Sequence, residues 1–114
     1  MRDLGTNTQA IECFNKSIEL DSQNPLSWFH KGCALFDLFK MQEANDCFST
    51  AIILNYSNFE IWERKGLCFF YLENYKEAIE CFNKCLDIKP LYEPILAKKA
   101  KALYSLGEIN EALN

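Results

Sequence analysis

The run Ala78-Ile79-Glu80-Cys81-Phe82-Asn83-Lys84 repeats, residue for residue, an earlier run, Ala10-Ile11-Glu12-Cys13-Phe14-Asn15-Lys16. A looser version, Ala44-Asn45-Asp46-Cys47-Phe48-Ser49-Thr50, lies midway, so the spacing is 34 residues each time, and Ala112 opens a fourth version one period further on. Recurrence at a fixed period of this size marks a stacked array. Each unit is then a small piece of secondary structure that buries its apolar face only against its neighbours.

Within the period the apolar residues follow helical spacing. Ala10, Ile11, Phe14 and Ile18 fall at the i, i+3 and i+4 intervals of a single face. The pattern predicts helices over about Asn7–Leu20, Leu26–Leu38, Met41–Leu54, Phe59–Leu72, Tyr75–Ile88 and Glu93–Leu106. Gly5 precedes the first of these, with Asn7 or Thr8 as its side-chain cap, and Gly107 is read as a turn before a last helix begun at Ile109. Asp21-Ser22-Gln23-Asn24-Pro25 is turn chemistry, with Pro25 placed where a helix start needs no N–H. Gly32, Gly66 and Ala100 share one repeat position and would let paired helices approach closely. Phe14, Phe48 and Phe82 are expected to fill the space between neighbouring pairs.

Charge and composition narrow the function classes. A net charge of −4 offers no basic field for nucleic acid or an anionic membrane, so neither is expected as a partner. No apolar run approaches the roughly 20 residues of a membrane span, and Met1-Arg2-Asp3-Leu4-Gly5 lacks the apolar core of a signal peptide. A cytoplasmic location is the expectation. Three of the six cysteines, Cys13, Cys47 and Cys81, are the same repeat position seen at 34-residue intervals. Neighbouring copies of a helix position stand roughly 10 Å apart, beyond disulfide reach. With one histidine (His30) and no Cys-x-x-Cys, the cysteines are expected to be buried or half-buried thiols in a reducing compartment, with no metal and no cofactor. There is no phosphate loop, no Gly-x-Ser-x-Gly and no His-Glu-x-x-His, and nothing in the spacing pairs His30 with a nucleophile. An enzyme is not expected.

The Trp28/Gly32 and Trp62/Gly66 pairs, the Tyr75-x-x-Ala78-x-x-x-Phe82 run and the closing Pro90 together resemble the tetratricopeptide repeat family over the whole chain. Phe39 and Glu73 stand where that family usually has a turn glycine, and Ser22 and Tyr56 where it usually has proline. The resemblance implies an all-α, right-handed α-solenoid of antiparallel helix pairs. Its phase divides the chain into 1–24 (second helix of a partial repeat), the complete repeats 25–58 and 59–92, and the partial repeat 93–114. Both ends are then open repeat edges. The chain is expected to be a segment of a longer array, or to stack head to tail as a homo-oligomer.

The resemblance also implies a concave groove, lined by the first helix of each pair, that receives a protein or peptide segment. Carried over by phase, the candidate binding residues on one helix are Phe29, His30, Cys33, Phe36 and Asp37. On the next they are Glu60, Glu63, Arg64, Leu67, Phe70 and Tyr71, and on the third Ala97, Lys98, Lys101, Tyr104 and Ser105. Phe36, Phe70 and Tyr104 share one phase and read either as an aromatic ladder along the groove or as inter-helix packing. Lys98-Lys99-Lys101 reads as a solvated face, with Arg64, Lys98 and Lys101 as candidate cations for an acidic peptide. The carboxylate clamp with which some family members hold chaperone tails is not reproduced, because Phe29, Cys33 and Pro94 occupy its polar positions. Three readings stay open: a peptide- or protein-binding module, a self-assembling scaffold, and an interaction segment of a larger enzyme or regulator.

Overall fold

The computed structural model describes residues 4–113, and these form six helices and no strand. They are α1 (Leu4–Leu20), α2 (Pro25–Asp37), α3 (Met41–Ile53), α4 (Phe59–Tyr71), α5 (Tyr75–Ile88) and α6 (Glu93–Leu113). Each packs against its successor, with α2–α3 and α4–α5 the most intimate pairs, and α2 also touches α4. The result is an elongated all-α solenoid, 50 × 28 × 27 Å.

Local chemistry sets the helix starts. The Asn24 side chain accepts from the Leu26 backbone N–H at 3.0 Å, with Pro25 opening α2 behind it. Asn58 caps α4 in the same way, accepting from the Ile61 N–H at 2.9 Å. The helix ends follow a second rule. Phe39, Asn55 and Glu73 take φ of 61°, 72° and 62°. Around Phe39 the Lys40 N–H donates to Leu35 O and the Phe39 N–H to Phe36 O, both at 2.9 Å, the paired bonds that close a helix over a left-handed residue. Glu73 and Asn74 repeat them onto Phe70 and Phe69, and Asn55 and Tyr56 onto Ile52 and Ala51. The left-handed conformation costs a side-chain-bearing residue about 1–2 kcal/mol.

Packing within a pair rests on a missing side chain. A Cβ built on Gly32 would lie 2.6 Å from the Phe48 ring and 3.2 Å from the Cys47 Cβ. On Gly66 it would lie 2.7 Å from Phe82 and 3.1 Å from the Cys81 Cβ. Phe48 and Phe82 therefore fill the space inside their own pairs rather than between neighbouring pairs, because the glycine opposite is the only room for a ring there. Both phenylalanines are fully buried, each contributing about 1.5–3 kcal/mol of transfer free energy. Two clusters result, one around Phe48 and one around Phe82, and Trp62 packs against both.

Three expectations are corrected. Gly5 and Asn7 lie within α1, which is already helical at Leu4, and Asn7 is buried instead of capping. α6 runs through Gly107 without a turn, so Ile109 continues it. Gly107 shares its repeat position with Phe39 and Glu73, yet only those two are left-handed, and each is followed by a helix that folds back to pack. The turn is thus made where a returning helix stabilises it, not where the residue makes it easiest. For the same reason Ala100 is exposed: no second helix covers it among the described residues.

Asn45 stands where the other repeats have Ile11 and Ile79, is 7% exposed, and its side-chain carbonyl has no hydrogen-bond partner. Asn45→Ile is expected to stabilise the chain by about 1 kcal/mol, by removing an unsatisfied buried acceptor. Gly66→Leu, which drives a side chain into Phe82, is expected to cost about 1–3 kcal/mol or more. Urea denaturation checks both. A Gly66→Leu midpoint equal to the wild type would mean that the helices do not meet at Gly66.

Candidate functional site

The first helix of each pair has one face turned to its partner helix and another turned inward, beside the first helix of the next pair. Between α1, α2 and α4 this inner side opens as a cavity of about 360 Å³, lined by Ala10, Phe14, Phe29, His30, Cys33, Ala34, Glu60 and Arg64. The His30 imidazole stacks on Phe14 with ring centroids 5.9 Å apart and meets Phe29 edge-on at 5.3 Å. Phe29 is 3% exposed, so it supports the cavity wall from the core and offers a ligand almost no surface.

Arg64 forms the far wall. Its guanidinium carbon sits 5.2 Å from the Phe36 ring centroid, and Nη1 is 4.0 Å from Asp37 Oδ1. Both charged side chains are about one-third exposed, so water screens the ion pair and it is worth at most about 1 kcal/mol. One period later the arrangement recurs: Lys98 Nζ lies 5.0 Å from the Phe70 ring centroid and 5.5 Å from Tyr71. Lys98 is therefore half-buried against aromatic rings instead of part of a solvated face. Two cations, each laid over an aromatic residue of the preceding repeat, form successive steps along the inner side.

The structure thus brings together His30, Cys33 and Arg64 at the cavity, Phe36 and Asp37 beside Arg64, and Phe70, Tyr71 and Lys98 at the second step. Glu60 and the buried Phe29 also line the cavity, and the remaining candidates lie apart from it. Glu63 bonds to the Tyr92 hydroxyl, and its negative charge is the main reason that the phenol titrates above its ordinary value. Leu67 packs half-buried against the cluster around Phe82. Lys101 is exposed. Phe36, Phe70 and Tyr104 do not act alike: Phe36 is half-buried, Phe70 is 8% exposed and packs on Phe82, and Tyr104 is 70% exposed. The contacts run instead through Tyr71, whose ring meets Phe36 at 6.5 Å, Phe39 at 6.2 Å and Phe70 at 5.6 Å.

Sequence reasoning missed Ala10, Phe14, Ala34 and Phe39. Ala10 and Phe14 belong to a second helix, which phase alone assigns to packing, but α1 forms an edge of the cavity. Phe39 occupies a turn position, and its one signal is a large aromatic residue where turn chemistry favours glycine.

Four of the six thiols are held out of chemistry by burial, whereas Cys13, expected to be buried or half-buried, is exposed. Burial pushes Cys68 up to about 12, with Arg64 partly opposing, and pushes Cys85 to about 12 and Cys81 to about 11. Cys47 is raised for the same reason. Protonated at neutral pH, these are poor nucleophiles and poor metal ligands. No group of three or more His, Cys, Asp or Glu among the described residues could hold a metal ion. No described helix is long and apolar enough to cross a membrane.

Fold and site together define a helical-repeat solenoid with an open inner side. The family model for the tetratricopeptide repeat matches residues 59–92, and a second model of the same description matches residues 2–24, together half of the chain. The chain belongs to the tetratricopeptide repeat family. Among solved structures, it is similar to the first such domain of Spaghetti (RPAP3) bound to an HSP90 peptide, SRMEEVD. There the TM-score is 0.82 at 26% identity, over 90% of this chain and 82% of that one. The second domain of human RPAP3, in complex with the HSP70 peptide SGPTIEEVD, matches with a TM-score of 0.76 at 26% identity, over 86% and 82%. MamA matches with a TM-score of 0.82 at 28% identity over 97% of this chain, which spans 61% of the MamA chain. Comparison with curated proteins by sequence finds no match.

Iodoacetamide at pH 8 is expected to label Cys13, which is exposed, in the native state, and Cys68, Cys81 and Cys85 only after denaturation. Mass spectrometry of the labelled chain checks this, and equal rates at Cys13 and Cys68 would contradict the packing. Because folding raises these thiol values, their contribution to stability is complete below about pH 9 and is lost as pH rises through 11 to 12. Melting temperature should fall over that window.

Proposed function

We propose that this chain is a non-catalytic protein-interaction module that takes a peptide or protein segment along the inner face of α2, α4 and α6. The observation that carries the reading is the pair of in-phase steps, Arg64 over Phe36 and Lys98 over Phe70 and Tyr71, beside an open cavity. Ring surface and half-desolvated cations at regular intervals suit an extended segment that alternates apolar and acidic side chains. Such a segment would gain from both burial and charge-assisted hydrogen bonds. The similar RPAP3 domains hold peptides that end in Glu-Glu-Val-Asp, which supports a peptide as the class of ligand. The clamp chemistry differs here, since Phe29 is core and Cys33 and Pro94 offer no cation. The repeat limits 25–58 and 59–92 make α2–α3 and α4–α5 the two complete units that carry the steps. Buried thiols held protonated support a reducing, cytoplasmic setting.

Peptides selected from a random display library against the wild-type chain should bind the Arg64→Glu, Tyr71→Ala double variant at least tenfold more weakly, about 1.4 kcal/mol, with helicity by circular dichroism unchanged. Equal affinity for both proteins would place the binding surface away from the inner face.

A further inference from the structure

The interior pairs show which surfaces the two outermost described helices leave uncovered. In α2, Trp28, Lys31 and Leu35 face Glu43, Asp46 and Cys47 of α3, and Gly32 meets Phe48. In α4, Gly66 meets Cys81 and Phe82 of α5, and Trp62 lies 4.9 Å from Lys84 Nζ. One period on, the same register of α6 reads Leu96, Ala100 and Leu103, and all of it is exposed, Leu103 by 50%. At the opposite end, α1 carries Ala10-Ile11-Glu12-Cys13-Phe14-Asn15-Lys16, identical to the α5 run that covers Gly66. In α5, Ala78, Cys81 and Phe82 are buried. In α1, Cys13 is exposed and Ala10 and Phe14 are only half-buried.

We infer that the occupant of the α6 face is α1 of a second copy, forming between chains a helix pair in the register of α4–α5 and joining copies head to tail. Charge follows the same register. Lys31 lies beside Glu43 and Asp46, and Lys65 beside Glu77 and Glu80, around Cys47 and Cys81 respectively. The matching positions at the seam are Lys99 on α6 and Gln9 and Glu12 on α1, so one of the two acidic partners is kept and the other is replaced by a neutral amide. Ala100 already has a Cβ where the interior pairs have none, and in the α4–α5 register a ring edge would lie 2.7 Å from it, so the seam must open and the Phe14 ring must shift aside. Two separate chains can do this freely. The contact is heterologous, and its product is an open chain of copies rather than a closed dimer. It takes up Ala10 and Phe14 at the α1 edge of the cavity but none of Arg64, Phe36, Lys98 and Tyr71, so variants at those steps and at the seam test the two readings separately.

The register supplies its own test. The Cys81 Cβ lies 3.1 Å from a Cβ built on Gly66, and the opened seam brings the Cys13 Cβ of one copy into the roughly 3.5–4.5 Å disulfide range of the Ala100 Cβ of the next. Both positions are on exposed faces, so the substitutions leave the fold intact. Mild oxidation of the Ala100→Cys chain should yield a disulfide ladder of dimer, trimer and higher species on non-reducing gels, and adding Cys13→Ser should abolish it. Light scattering of the wild type should show a mass that rises with concentration. A ladder that survives Cys13→Ser, products that stop at the dimer, or a mass fixed at a single chain up to millimolar concentration would each overturn the inference.

Discussion

Everything in this array depends on how closely two helices can come where a glycine faces a phenylalanine. At Gly32 and Gly66 the facing ring sits inside the volume that any Cβ would occupy. That approach lets Ala44, Ala78, Phe48 and Phe82 be fully buried. It also seats the thiols of Cys47 and Cys81 against the partner helix, where desolvation keeps them protonated. Trp62, shared by the two clusters, joins one pair to the next. Overpacking a single glycine would therefore disturb the pair and the stack together.

The same contact explains the turns. A helix that packs tightly on its predecessor must reverse within about two residues, and only a left-handed residue closes the outgoing helix so sharply. Phe39 and Glu73 accept that conformation at a cost of about 1–2 kcal/mol each, which the burial of α3 and α5 outweighs. Gly107, at the same repeat position, stays helical, and among the described residues no returning helix packs on α6.

The inner face is a by-product of this geometry. With one side of α2 and α4 committed to α3 and α5, the other side lines a shared channel. Its chemistry is free to differ between repeats. Phe29, Glu63 and Ala97 share a phase, yet Phe29 is core, Glu63 is bonded to Tyr92, and Ala97 is exposed. The cation over the ring, by contrast, survives from Arg64 to Lys98, although the ion changes from guanidinium to ammonium. A guanidinium can also hold Asp37 while it stacks, whereas Lys98 brings a single charge to two rings.

The sequence by itself determined the helices and their pairing, because a 34-residue period sets which helices recur and the shared position of Gly32 and Gly66 marks the close approach within a pair, whereas which gap Phe48 and Phe82 fill was decided by the tertiary structure. It also placed His30, Arg64 and Lys98 on the inner side, since phase sets direction. Only the tertiary structure decided how deep each residue lies. Phase could not distinguish the buried Phe70 from the exposed Tyr104, nor bring Phe14 of α1 against His30, nor show that Gly107 stays helical. The physical reason is that direction is a property of a helix, whereas burial is a property of what lies opposite it. What lies opposite is set by residues a full period away.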